Sequence, residues 1–425
     1  NQAAYSGTIK AMLSAALALL VEAEESFGLI HAQTVCNIYS VYVELALYHK
    51  ASALLEQLKD SLDAIEDDTR YEHSVVLYSL ANIAECYRRI GKYAESAALS
   101  QRIIDCRPGS TKLELYALLT YVSTLRTLGN YEIADSYIEQ ADRIISTVTD
   151  SPLIISSYFR KRGSLLRSKG LYAEAKHVFM EGEAFNIYTN LSCHYEHGRL
   201  VGCIAELHRS KGEFALARHS YAKALSILRL AYQGQHVEIG YQLGNLGEYY
   251  RAIGDYNQAE RSYLRCLAML KTGLGEDHPD YAKRLNNLAQ LYRATGRTEQ
   301  AQDLLWKALE TLTAAFGSHH HHVAKVMNNL SALSLELGDT ELAQQMGERA
   351  LHIRLQVLGD NHHHVGRSYL NLARLSVSGG HTHRAIEYYR LAIESFEKSL
   401  GPAHSATAQA QQELTTLTIA LKMDN

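Results

Sequence analysis

Six arginines recur in one register. Arg88, Arg126, Arg167, Arg209, Arg251 and Arg293 each stand three residues before a glycine in consecutive segments. A guanidinium is a rigid fork of donors that matches a carboxylate bidentately. Thirteen residues before the same series of glycines stand Tyr78, Tyr116, Ser157, Arg199, Tyr241, Lys283, Lys325 and Arg367. Nine before it stand Asn82, Thr120, Lys161, Cys203, Asn245, Asn287, Asn329 and Asn371. Asparagine is a mediocre helix former, so a column of it inside helices needs a reason. Its amide carries donors and an acceptor, and can pair with both groups of a peptide backbone. The chemistry these types can do is recognition: asparagines hold an extended backbone, while arginines and lysines select acidic side chains or a terminal carboxylate. Tyr78, Tyr116 and Tyr241 offer apolar contact.

Each column has a second reading. Glu85, Glu206 and Glu248 lie three residues before an arginine on the same helical face and could pair with it internally. The asparagines could bond between neighbouring segments. A third column, His194, His236, His278, His320, His362 and His404, is flanked by His319, His321, His322, His363 and His364. His-rich tracts can bind metal, but no HxxxH spacing is present on a helix. The column runs in phase with the repeat, and Pro279 after His278 suits the first position of a helix. We therefore read it as structural and assign no metal and no cofactor.

Other functions are excluded by what the chain lacks. There is no phosphate loop, no GxSxG and no HExxH, so no enzyme is expected. The net charge of −4 and the interleaved glutamates argue against nucleic acid. No apolar run reaches the ~18 residues that span a bilayer, so no membrane partner is expected. Six cysteines with no CxxC pair suggest reduced thiols in a cytoplasmic protein. The lone Trp306 stands at a core-like spacing.

The elements that must position these columns follow from the glycines themselves. Gly91, Gly129, Gly170, Gly212, Gly254, Gly296, Gly338 and Gly380 are spaced by 38, 41 and then five times 42 residues. A small residue stands five after each, and mostly also seven before, as in Ala289 and Ala301 around Gly296. Such self-similarity marks a solenoid of helix pairs that approach closely at the small residues.

The small residue, the aromatic four before the glycine (Tyr87, Tyr250, Tyr292) and Gly-x-aromatic-x-x-Ala together resemble the tetratricopeptide repeat. With the Leu-Gly-x-x-His-Pro linker and Leu-Asn-Asn-Leu-Ala helix, the 42-residue unit is similar to that of kinesin light chain and its relatives. The match is strongest from His194 to His404, and no heptad seam for a coiled coil accompanies it. The resemblance implies an all-α, right-handed superhelical solenoid of about nine antiparallel helix pairs. It also implies that the three columns face a concave groove, with the peptide-holding role falling on Asn245, Asn287, Asn329 and Asn371, and Asn82 as an outlier.

One array is expected over 1–425. Degenerate units occupy 1–70, irregular units 71–190, regular units 191–402 and a polar capping helix 403–425. The chain opens on Asn1 without Met and inside a helical pattern, which suggests a piece of a longer protein. The function expected is a non-catalytic scaffold or adaptor that binds an extended, acidic segment of a protein partner. The alternative is the sensor arm of a larger signalling ATPase, regulator or protease, whose other domains would then be the partner.

Overall fold

The computed structural model describes residues 73–423, apart from 90, 91, 107, 108, 233, 235 and 403. The degenerate units expected over 1–70 lie outside the described residues, and so does the side chain of Tyr78. Seventeen α-helices and no strand stand among the described residues. They run α1 His73–Arg89, α2 Tyr93–Asp105, α3 Thr111–Leu128, α4 Tyr131–Ile144, α5 Pro152–Ser168, α6 Tyr172–Tyr188, α7 Tyr195–Ser210 and α8 Phe214–Tyr232. They continue as α9 Val237–Ala252, α10 Tyr256–Leu274, α11 Pro279–Ala294, α12 Thr298–Phe316, α13 His321–Glu336, α14 Thr340–Leu358, α15 His363–Ser378, α16 Thr382–Leu400 and α17 Ser405–Met423. The first sixteen form eight pairs, and α17 is a first helix with no partner after it.

The helix ends follow from local chemistry. Gly129 closes α3 in the left-handed region at φ 85°, where a side chain would be strained, and its N–H reaches the Arg126 carbonyl. The small residues are where the helices meet: Ala289 and Ala301 are fully buried. Where the small residue is glycine, an aromatic fills the space. A Cβ on Gly247 would stand 2.7 Å from the Tyr263 ring.

The histidine column starts the first helices. His194, His236, His278, His320 and His362 all hold extended backbone at the N-cap. Each ring accepts at Nδ1 from the N–H two residues on, as His320 does from His322 at 3.1 Å. Acceptance at Nδ1 leaves the proton on Nε2. Three rings donate that proton far along the chain: His278 to the Arg89 carbonyl at 2.8 Å, His320 to Thr127 at 2.8 Å and His362 to Ser168 at 3.3 Å. The partners are 189, 193 and 194 residues apart, about four and a half repeat units. The solenoid therefore completes a superhelical turn, and the ends of α1, α3 and α5 rest on the linkers before α11, α13 and α15. The Tyr93 ring stacks on Phe316 at 5.0 Å, and Phe316 on His320 at 4.1 Å, along the same seam. Arg89 reaches Glu238 at 2.9 Å.

Candidate functional site: the interior cavity

A cavity of about 530 Å³ lies inside the superhelix. Its wall is built by the first helices of all eight pairs, α1 through α15, so residues of both superhelical turns share it. Ten of the residues singled out from the sequence line it: Arg88, Arg126, Arg167, Arg199, Arg209, Tyr241, Asn245, Lys283, Asn287 and Lys325. Asn82, Tyr116, Arg251, Arg293, Asn329, Asn371 and Arg367 stand outside that lining.

Nine arginines and lysines line the cavity against four carboxylates: Glu206, Glu238, Glu248 and Asp280. Many of the cations are locked by ion pairs. Arg88 meets Glu85 at 2.6 Å, Arg209 meets Glu206 at 3.1 Å and Arg251 meets Glu248 at 3.1 Å, each three residues apart on one helix. Tyr221 also donates to Glu206, and Tyr263 donates to Glu248 at 2.8 Å. Arg199 pairs with Glu196 at 2.8 Å, and Lys283 with Asp280 at 2.9 Å. Arg293 pairs with Glu336 of the next unit at 2.7 Å. Burial works against the charge on Glu248, yet Arg251 and Arg209 beside it hold its carboxyl down at about 2.

Arg126, Arg167, Lys325 and Arg367 have no such close carboxylate among the described residues. Arg126 has only the Ser168 hydroxyl, at 3.5 Å. Burial and neighbouring Arg167 both work against its charge. Arg167 stands 4.0 Å from Glu206, and its Nε is buried without a hydrogen bond. Lys325 reaches only the Asn287 amide oxygen, at 3.4 Å, and burial pushes its ammonium down to about 8. Arg367 is exposed and stands among Arg251, Arg209 and Glu248. Lys161, in the asparagine column, is buried, which pushes it down to about 7.

The asparagine column divides. Asn245 and Asn287 line the cavity. Asn329 donates to Asn286 at 2.7 Å and Asn371 to the Asn328 carbonyl at 3.1 Å, so both amides bond to the preceding unit. Tyr241 donates to Asp280 at 2.7 Å. The sequence columns overlooked Arg284, which lines the cavity, and read His321, His322, His363 and His364 as structural, although these also line it. They also overlooked the acids two residues after the linker histidines, Glu196, Glu238 and Asp280. Those acids carry a signal, since acidic residues favour a helix N-terminus. Among the described residues no group of His, Cys, Asp and Glu is placed to hold a metal ion. No helix of the described residues is long and apolar enough to cross a membrane.

Four overlapping stretches, 198–272, 243–314, 285–356 and 323–398, match the family model of the tetratricopeptide repeat. No curated protein matches the chain. Among solved structures, a Rap protein complexed with Competence and Sporulation Factor is similar at TM-score 0.62. It is 14% identical over 92% of this chain and 99% of that one. The APC/C hetero-tetramer Cut9–Hcn1 is similar at TM-score 0.56, 13% identical over 84% of this chain and 59% of that one. A putative kinesin light chain with nearly identical TPR-like repeats, from Podosopora anserina, is 20% identical over 49% of this chain and 98% of that one, at TM-score 0.38. These likenesses concern the fold alone. From 198 to 398 the chain is an array of tetratricopeptide repeats, set in an all-α repeat solenoid.

Proposed function

We propose that the chain is a non-catalytic scaffold that takes an extended, acidic segment of a protein partner into the superhelix interior. Tetratricopeptide arrays are in general protein-interaction folds, and two of the similar structures, the Rap protein and Cut9–Hcn1, are complexes. The observation that carries the acidic preference is the charge of the cavity wall, nine cations to four carboxylates. Asn245 and Asn287 supply amides for a peptide backbone, and Lys325 and Arg367 supply charge that forms no ion pair among the described residues. A volume of about 530 Å³ falls in the range of small-ligand and short-peptide sites. Like charges held close together repel, and an acidic ligand relieves that repulsion.

A panel of labelled peptides tests this by fluorescence anisotropy: one rich in Glu, one with Gln in place of Glu, one rich in Lys. The Glu peptide binds, and its affinity falls as salt is raised, because part of the attraction is screened. Equal binding of the Gln peptide, or preference for the Lys peptide, would remove the reading.

A further inference from the structure

We infer that part of this cavity is a site for a phosphate-type dianion, where Arg126 and Arg167 of one superhelical turn share the wall with His321 and His363 of the next. The histidine seam brings these groups together. His320 bonds the carbonyl of Thr127, next to Arg126, and His362 bonds the carbonyl of Ser168, next to Arg167. Gly129, three residues after Arg126, packs against the His321 ring: a Cβ there would stand 3.2 Å from its Nδ1. Arg126 in turn reaches toward Ser168. The site therefore spans two adjacent arginine-bearing helix ends and the two histidine linkers stacked on them.

Three features of the site point to an anion. Neither arginine has a close carboxylate: Arg126 has none among the described residues, and Arg167 has one only at 4.0 Å. Buried nitrogens are also left without hydrogen bonds, namely Arg167 Nε, His321 Nδ1 and His363 Nδ1. A buried polar atom left without a hydrogen bond forfeits its hydration with nothing in return. The two histidines open helices α13 and α15, whose N-terminal ends carry partial positive charge. A metal ion would be repelled by the arginines.

The number of donors favours phosphate over a single carboxylate. One guanidinium fork satisfies a carboxylate, whereas a phosphoryl group presents three acceptor oxygens in a tetrahedral array. Two guanidinium groups and two imidazoles from two turns suit the second geometry. The site rests on the interior-groove reading for its place, but its preference for a dianion does not depend on a peptide being the ligand. The phosphate can be free or carried by a phosphorylated ligand.

Thermal melts of the full chain in inorganic phosphate and in chloride of equal ionic strength test the site. Phosphate binding raises Tm by about 3 °C, the size a ligand in good excess gives, and chloride does not. Arg126→Gln removes the phosphate response while leaving the chloride Tm unchanged or higher, since it relieves like-charge repulsion. His363→Gln carries the same test should Arg126→Gln not fold. Arg384→Gln, at an outer-face arginine that pairs with Glu348, keeps the full response.

A phosphoserine peptide and its serine twin, measured by anisotropy with free phosphate as competitor, separate the sources. Competition by phosphate assigns the site to phosphorylated ligands, and phosphate stabilisation without preference for the phosphopeptide assigns it to free phosphate. An equal Tm rise in chloride, or a response that survives Arg126→Gln, overturns the inference. Binding of an acidic, unphosphorylated peptide with no phosphate response overturns it while leaving the groove reading intact.

Discussion

Two parts of the inner wall carry the same arginine column and leave it in opposite states. In α1, α7 and α9 the residue three before the arginine is Glu85, Glu206 or Glu248, and each arginine is paired with it. In α3 and α5 that position holds Ser123 and Ser164. A serine cannot neutralise a guanidinium. Arg126 and Arg167 are left without a close carboxylate, and the next superhelical turn lays histidines over them. One column thus does two jobs. Where glutamate accompanies it, it staples the wall; where serine does, it leaves attraction for a ligand.

The sharpest way to break this contrast is to remove one partner on the paired side. Glu206→Gln leaves Arg209 half-buried without its carboxylate, and one amide oxygen must serve both Arg209 and Tyr221. Urea denaturation should show a loss of about 3 kcal/mol. Arg126→Met, on the unpaired side, should be neutral or stabilising. Equal losses from both would erase the distinction.

The histidine seam comes next in size. His320→Ala removes an N-cap and leaves the Thr127 carbonyl without its inter-turn donor, which together cost about 2 kcal/mol. His194 caps its helix in the same way, with no inter-turn bond of its own among the described residues. His194→Ala should therefore cost only about 1 kcal/mol. Burial holds His320 down to about 4, so the native state favours the neutral ring. Its contribution is complete above the unfolded value of about 6.5 and is lost as pH falls from there toward 4. His320→Gln should flatten that part of the pH–stability curve.

Lys161 has the same pH sense in a more alkaline window. Its ammonium is pushed down to about 7 by burial, so between about 7 and 10.4 the unfolded chain binds the extra proton. Stability should rise with pH across that window, and Lys161→Met should abolish the rise. A rise unchanged in the variant would assign it to another group.

The smallest effect concerns the seam's packing. Gly129 and Gly254 share the left-handed turn conformation, at φ 85° and 81°. An alanine therefore costs about 1 kcal/mol at either. Only at Gly129 does the new methyl also meet another turn, 2.9 Å from Val357. Gly129→Ala should be the worse of the two in Tm.

Much of this was legible in the sequence because it is local. The turn glycines, the small residues such as Ala289 and Ala301, and the linker histidines state their roles within one unit. The glutamate three before an arginine correctly marked the internal pairing at Arg88, Arg209 and Arg251. What one unit cannot express is the small rotation between units, which accumulates until the array meets itself. For that reason the second bond of His278, His320 and His362 was not foreseeable, nor was the convergence of Arg126 with His321. Spacing also misplaced Trp306, which is 41% exposed. The buried stripe of α12 runs through Ala301, Leu305, Ala308 and Leu312, and Trp306 stands one residue, about 100°, off it.

The central claim is that cations left unpaired in the interior recruit an acidic ligand. Charge reversal at Lys325 and Arg367 tests it more cleanly than at Arg209 or Arg251, whose replacement also breaks an internal ion pair. The decisive measurement is the anisotropy titration of a labelled Glu-rich peptide against the wild-type chain and Lys325→Glu/Arg367→Glu, with circular dichroism to confirm that both are folded. The account predicts at least about a tenfold loss of affinity in the double variant, the value of one 1.4 kcal/mol contact. An unchanged affinity in a folded double variant would contradict it.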